Sequence, residues 1–540
     1  MRLGEYLFKR LKEEGVTHTF GLPGDFALSL YAAQEACDLP TIVMTHEPSV
    51  GYAADVYARL KGLGVALVTY GVGALNMANA VAMAYAEESP VLVIAGAPQV
   101  QWRESDALFH HRVKSPDTQL RVYGEVTVAQ ASIQGATQAA EEIERVLAAV
   151  RRFSRPGFIE IARDAVNMPI LVPSRKDTAA PADNGSRRAA MREAIDEIAA
   201  ALNASRRPVV YPGVEIERFG LMDKLRRFVE RVGLPVATSL MGKAVLPESH
   251  ANFIGNYFGR LGPEPVRHYV ESFDCILALG MLMTDMDTGL YTGHLDRRRL
   301  IQATAQGTHV GYHFYPDVSL TDLLDALLRQ DRLKRHRFMP SRRPAARRPS
   351  SAGNALSMNS IIEEPNEFLT PDHIVLADTG DCLFASVELR SHMFIGPGYY
   401  ASMGLAVPGA IAAQLARPDL RPVALVGDGA FKMNGVEIGT ACDHGLNPIV
   451  IIINNRSFAT LKVALGDRPY LRVRPWDYVA LARALGGQGV QARTRDEFRR
   501  ALRLAESSKD FCVIDAVIDP ADVSPTLRRL GEQYRAKRSG

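Results

Sequence analysis

Asp428 stands between Gly427 and Gly429 at the end of an apolar run. Asn454 and Asn455 end a second such run, 26 and 27 residues past that aspartate. One carboxylate and one amide oxygen, near free backbone N–H groups, make a poor all-protein cage for a metal. They make a good half-site for Mg²⁺ when phosphate oxygens supply the other ligands. Asp428 and Asn455 are the expected protein ligands. Gly427 and Gly429 let backbone come close to a ligand, and the N–H groups that open the next helix, from Gly429 through Ala430 and Phe431, cradle an anion. Alone, Gly-Asp-Gly reads as a tight strand-to-helix turn. The double asparagine at a matching strand end turns the reading toward metal-assisted phosphate binding.

Those strand ends must lie side by side. "RPVALVGDG" and "NPIVIIINN" are apolar runs of strand length, and "NGVEIGTACDHG" between them has a helical pattern closed by Gly445. A strand-helix-strand unit makes its two strands parallel neighbours. Their C-terminal ends then share one edge, where open α/β sheets bind ligands. The same alternation fills residues 361–540, with "IVLADTGDC" and "FCVIDAVID" as further strands, and residues 1–172, with "GVTHTFGLPGD", "TIVMT", "VALVTYGVG" and "PVLVIAGAP". Residues 189–330 carry "RRPVVYPGVEI", "GLPVATSL" and "DCILALGML". The polar stretch 173–188 and the Pro-, Ser- and Arg-rich stretch within 331–360 read as linkers. The expected fold class is α/β, three doubly wound parallel-sheet domains, with the first and third looking like two copies of one architecture.

Composition removes several other classes. The net charge of +3, from 63 basic against 60 acidic residues, asks for neither nucleic acid nor an anionic membrane. The five cysteines, Cys37, Cys275, Cys382, Cys442 and Cys512, form no C-x-x-C, which argues against a disulfide framework or a zinc site and fits a reducing cytoplasm. The amphipathic opening "MRLGEYLFKRLKEEGV" lacks the apolar core of a signal peptide. Residues 65–86 carry no charge, yet Gly71, Gly73, Asn76 and Asn79 interrupt them, and they divide into strand, glycine turn and helix rather than a membrane span. In "GVGALN", Gly71 and Gly73 fit the dinucleotide fingerprint but Asn76 replaces its third glycine. No acidic residue ends the next strand, so a nicotinamide dehydrogenase is rejected.

The spacing from Asp428 to the asparagines resembles the cofactor motif of thiamine diphosphate (ThDP) enzymes. The resemblance covers nearly the whole chain and looks closest to the indolepyruvate and phenylpyruvate decarboxylases of the pyruvate decarboxylase group. It implies pyrimidine-binding, central and diphosphate-binding domains, with ThDP and Mg²⁺ as cofactors. Glu47, in "MTHEPSVGYAAD", matches the family glutamate that hydrogen-bonds the aminopyrimidine ring and so allows the thiazolium C2 proton to leave. Asp25 of "GLPGDFAL" and His110 and His111 of "ALFHHRVKS" match the decarboxylase residues that line the reacting carbon and shuttle protons. Histidine titrates near neutrality, and a buried Asp25 is expected to hold a raised pKa. Thr379 and Asp381 match positions at the diphosphate, and Met403 the bulky residue beneath the cofactor. The Ala401 carbonyl matches the acceptor of the aminopyrimidine, and the Ser457 carbonyl the third protein ligand of the metal. One subunit of the family supplies the glutamate and its partner the diphosphate site, which implies a homo-oligomer, dimer or tetramer, with sites at the dimer interface.

One position departs from the pattern. Where the pyruvate decarboxylase branch has a glutamate, six residues after the second asparagine, this chain has Leu461. That glutamate assists protonation of the enamine formed on loss of carbon dioxide. Its absence does not prevent carbon dioxide loss, which the cofactor ring drives as an electron sink. An apolar lining suits a large 2-oxo acid, and Phe384, Phe458 and Leu461 are the expected pocket residues. The first reading is therefore a ThDP- and Mg²⁺-dependent decarboxylase that turns aryl or medium-chain 2-oxo acids into aldehydes. The second is a carboligase that passes the same carbanion to another carbonyl compound and makes an acyloin. A non-catalytic ThDP-binding homologue is the third, and Glu47, Asp25, His110 and His111 argue against it.

Overall fold

The computed structural model describes residues 1–105, 108–172, 185–338 and 354–538. Most of the expected linkers 173–188 and 331–360 thus lies outside the described residues. The chain builds three sheets. The first holds β1 (Thr19–Gly21), β2 (Thr41–Val43), β3 (Gly64–Val68), β4 (Val91–Ala97), β5 (Ala129–Ile133) and β6 (Gly157–Ala162), in the order β2-β1-β3-β4-β6-β5, all parallel. The second holds β7 (Pro208–Pro212), β8 (Val236–Thr238), β9 (Phe253–Asn256), β10 (Cys275–Leu279), β11 (Leu300–Thr304), β12 (Gly307–Val310) and β13 (His313–Tyr315), in the order β13-β12-β11-β10-β7-β8-β9. The third holds β14 (His373–Ala377), β15 (Phe394–Ile395), β16 (Arg421–Gly427), β17 (Ile449–Asn454), β18 (Gln488–Ala492) and β19 (Cys512–Val517), in the order β15-β14-β16-β17-β19-β18, again all parallel.

The strand orders of the first and third sheets are the same permutation, so these two regions do share one topology. The central sheet corrects the sequence reading. It is mixed, because β12 runs antiparallel to both β11 and β13. Ala305 and Gln306 alone join β11 to β12, and a connection that short permits only a hairpin.

Strands β3, β4, β16 and β17 are buried or nearly so along their lengths, as parallel strands covered on both faces must be. The two matching sheets are joined by helices. Helix Glu47–Lys61 from the first region lies against helix Ala406–Ala416 from the third, and Gly409 brings them close: a Cβ there would come 2.9 Å from Val56 Cγ2. A single core runs through this contact, from Phe20, Val56 and Met77 to Leu376, Ile411 and Val426. The helix after β16 also differs from its sequence reading. It starts at Asp428 itself, ends at Asn434, and resumes as Ile438–Asp443 after one tight turn at Gly435–Glu437.

Candidate active site

The C-terminal ends of β16 and β17 carry the first group of residues. Gly427 pairs with Ile453 across these strands, so Asp428 opens its helix beside the two asparagines. The Asp428 carboxylate is buried and accepts the Arg456 N–H at 2.6 Å. Burial pushes its pKa up to about 7, against the pull of the Arg456 and Gly429 N–H groups. The asparagines diverge. Asn454 donates Nδ2 to the buried Asp515 at 2.8 Å, whereas Asn455 accepts the Ser457 N–H on Oδ1 at 3.0 Å.

The fit to a divalent cation can be judged from this arrangement. Asp428 is a carboxylate whose charge burial disfavours, and Asn455 brings an amide oxygen to the same strand end. Ser457 Oγ and Asn454 Oδ1 are buried polar atoms without a hydrogen-bond partner. A hard cation with oxygen ligands relieves such a site, so the residues fit Mg²⁺.

The glycines play different parts. Nothing lies within 4 Å of a Cβ added at Gly427, so its backbone is open to a ligand. A Cβ at Gly429 would sit 2.5 Å from Phe458 Cε1, so the ring of Phe458 occupies that space. Ala430 and Phe431 turn their side chains into the core, Phe431 edge-on to Tyr478, which leaves only backbone N–H groups for an anion. Asp381 directs its carboxylate to Ser524, with Oγ at 2.5 Å and N at 3.0 Å, and so fastens the start of the C-terminal helix Pro525–Arg538. Phe384 is buried in the core of the third region. Phe458 is half-buried, and Leu461 is exposed on helix Ala459–Leu465.

Residues 399–403 form a ledge. Ala401 adopts φ 58°, an unusual conformation for a side chain larger than glycine, and neighbours hold it there. The N–H groups of Tyr399 and Tyr400 donate to Glu87 Oε1 at 2.7 and 2.9 Å. Thr379 donates its hydroxyl to the Ser402 carbonyl at 2.9 Å. Ser402 Oγ meets the Tyr52 hydroxyl and Asn79 Nδ2. Met403 packs half-buried against the shared core. Buried Asp378, raised to about 6 by burial although backbone N–H groups draw it down, holds the N–H groups of Gly404 and Ala406.

The third group is Asp25, His110 and His111. His110 Nε2 lies 2.5 Å from Asp25 Oδ2, and the ligand atoms of all three residues lie within 4.8 Å of one another. Phe26 stacks on His110 at 4.7 Å. The backbone of His111, at φ 66°, fits against Gly71, where a Cβ would come 2.5 Å from the His111 carbonyl oxygen. Beneath them, buried Glu160 accepts from Arg103 (2.6 Å), Gln119 (2.8 Å) and Ser132 (2.7 Å), and Gln119 receives the Gly71 N–H. The expectation of a buried Asp25 with a raised pKa is corrected. Its side chain is 43% exposed, and although partial burial pushes the carboxyl up, the His110 contact prevails and holds it below its ordinary value.

Glu47 opens helix Glu47–Lys61 and takes a hydrogen bond from Asn76 at 2.7 Å. Just before it, the Thr45 N–H and hydroxyl donate to buried Glu437 of the third region, which also receives the Thr440 hydroxyl. Among the described residues no hydrogen bond or ion pair joins Glu47 to the Asp428 group or to the Asp25 group. The sequence reading did not single out Asp378, Glu87, Glu437 or Asp515. Asn76 and Asn79 were visible there only as interruptions of an apolar run.

The chain belongs to the thiamine pyrophosphate enzyme family: residues 1–121 match its N-terminal TPP binding domain, residues 195–330 its central domain and residues 378–516 its C-terminal TPP binding domain. It is 38% identical to an indole-3-pyruvate decarboxylase of Azospirillum brasilense, over 98% of each chain. It is 32% identical to an alpha-keto-acid decarboxylase of Mycobacterium leprae, over 97% of this chain and 94% of the relative. Its identity to an alpha-keto-acid decarboxylase of Mycobacterium tuberculosis strain H37Rv is 31%, over 97% and 95%. These matches set it within the decarboxylase branch of the family.

Proposed function

We propose that this ThDP-dependent 2-oxo acid decarboxylase acts on aryl or medium-chain 2-oxo acids, such as phenylpyruvate and indolepyruvate, and releases aldehydes. The observation that carries the substrate class is Leu461, an exposed apolar side chain where the branch has a glutamate, with half-buried Phe458 close by in the chain. The name of the Azospirillum relative supports the same class. ThDP, when bound, supplies the electron sink for carbon dioxide loss. The chain supplies the rest. Asp428 and Asn455 side chains and the Ser457 carbonyl would hold Mg²⁺, and the opening N–H groups of helix Asp428–Asn434 would meet the diphosphate. The Ala401 carbonyl and Met403 would set the pyrimidine, and Glu47 would offer it a carboxylate. Asp25 and His110 form a proton-holding pair, with His111 beside it.

The domain bounds 1–172, 189–330 and 361–540, a cytoplasmic location and a homo-oligomer, dimer or tetramer, belong to the same proposal. Two observations support a site completed by a second copy. Among the described residues no hydrogen bond or ion pair joins Glu47 to Asp428, and Tyr399 and Tyr400 of the ledge, Met433 of the Asp428 helix and Val436 just after it are exposed. Leu461 also favours a second reading, carboligation, because its side chain offers no acid to protonate the product in place of the missing glutamate. The test offers phenylpyruvate, indolepyruvate, pyruvate and 2-oxobutyrate, singly and in pairs, to wild type and Leu461→Glu. Aldehyde equal to carbon dioxide, with aryl substrates preferred and the preference moved toward pyruvate in the variant, is expected. Acyloin in place of aldehyde would favour the carboligase, and preference for pyruvate in the wild type would overturn the substrate class.

A further inference from the structure

We propose that Asn76 is a positioning residue for Glu47, setting which carboxylate oxygen faces the cofactor. The inference rests on the reading of Glu47 as the acid opposed to the pyrimidine ring.

Asn76 lies in helix Val72–Ala86, an Ala- and Met-rich element in which asparagine is a poor helix former. Its Nδ2 donates to Glu47 Oε2 at 2.7 Å. Gly73, three residues earlier and so on the same face, borders the other oxygen: a Cβ there would make ordinary contact with Oε1 at 3.7 Å. One oxygen is gripped, and among the described residues no hydrogen bond is made to the other. Three residues further on, Asn79 holds the same helix to the ledge, donating to Ser402 Oγ at 3.0 Å and Tyr52 OH at 3.2 Å while accepting from Tyr400 OH at 3.2 Å. Thus the stripe Gly73–Asn76–Asn79 keeps one register toward Glu47 and toward residues 400–402. The Glu437 clamp on Thr45 fixes the backbone just before Glu47, but only Asn76 holds its carboxylate among the described residues.

The choice of an amide has a chemical reason. A donor on the carboxylate removes its rotational freedom. A lysine or arginine there would do the same with a full charge and hold the carboxylate too strongly to share a proton. Asparagine orients it with a neutral group.

The experiment uses the full chain with ThDP and Mg²⁺, in the wild type, Asn76→Ala, Asn76→Ser, Asn76→Asp and Glu47→Ala. Cofactor affinity is read by calorimetry, and hydrogen–deuterium exchange at the cofactor C2 by quenched NMR across pH. Asn76→Ala is expected to bind the cofactor as the wild type does but to exchange about tenfold more slowly, the worth of one hydrogen bond to a charged group. Asn76→Ser, which keeps a donor, should recover part of the rate, and Asn76→Asp, which sets a like charge in place of the donor, should be slowed at least as much as Asn76→Ala. Wild-type exchange in both Asn76→Ala and Asn76→Asp would overturn the inference. If Glu47→Ala abolishes exchange while the Asn76 variants do not alter it, only the role of Asn76 falls. If Glu47→Ala exchanges like the wild type, the role of Glu47 falls with it.

Discussion

Asp428 should make the cofactor-free protein less stable as the pH rises, and removing its charge should reverse this. The carboxyl is 1% exposed, and burial holds it at about 7 rather than 3.8. Because the folded-state value lies above the unfolded one, the folded chain binds the extra proton. The stabilisation from that proton is fully present below about pH 4 and is lost as the pH rises through 7. A carboxyl displaced that far costs the folded chain about 4 kcal/mol above pH 7, an upper figure because water and local relaxation reduce it. Asp428→Asn keeps an oxygen for the Arg456 N–H and removes the charge. With no metal or cofactor added, its unfolding temperature at pH 8 should exceed that of the wild type by several degrees, and at pH 5 the two should nearly coincide. Adding Mg²⁺ and ThDP should stabilise the wild type at pH 8 and leave the variant almost unmoved, since a bound ligand adds stability only to a state that binds it. The assay is differential scanning fluorimetry of both proteins at the two pH values, with and without the ligands. A variant no more stable than the wild type at pH 8 would refute the uncompensated buried charge. A variant stabilised by the ligands as strongly as the wild type would refute the metal assignment.

Gly429→Ala should weaken Mg²⁺-dependent ThDP binding by about 1–3 kcal/mol, because the new methyl meets the Phe458 ring; adding Phe458→Ala should restore it, and titration calorimetry that finds no rescue would show another cause. His110→Ala removes the contact that keeps Asp25 below its ordinary value, so the acid limb of the kcat/KM profile, governed by loss of the carboxylate as pH falls, should move to higher pH; an unmoved limb would assign it to another group. Glu437→Gln replaces an acceptor of three donors with a group that must present an N–H to them, and should destabilise the junction of the first and third regions by about 2–3 kcal/mol in urea denaturation; an unchanged midpoint would make that junction dispensable.

How much of this the sequence carries depends on what each element faces. Strands β3, β4, β16 and β17 are legible because both their faces are covered and each reads as an unbroken apolar run. Strands β5 and β18, at sheet edges, mix buried with less buried residues and pass for loop. Strand β6 is buried throughout, but Glu160 interrupts its apolar pattern, and the three donors that make Glu160 tolerable there come from distant segments. The mixed central sheet is hidden for a related reason: nothing in the short runs around Ala305 and Gln306 distinguishes a hairpin from a turn between parallel elements.

The site divides in the same way. Asp428 and Asn455 are legible because both depend on local strand ends that one β-α-β unit must align. Asp25 and His110 touch across 85 residues of sequence, and only resemblance to a family joins them beforehand. The residues that hold the site together reach further. Glu437 reaches Thr45 across 392 residues, Asn79 reaches Ser402 across 323 and Glu87 reaches Tyr399 across 312. No spacing rule spans such separations. They exist because two copies of one topology face each other through helices Glu47–Lys61 and Ala406–Ala416, which brings positions far apart in sequence to one seam. What the sequence does show at that seam is residue type against context. An asparagine inside an Ala-rich helix, or a glutamate at the end of one, is costly unless something opposite accepts it. Asn76, Asn79 and Glu87 are such residues, and each of them meets either Glu47 or the ledge.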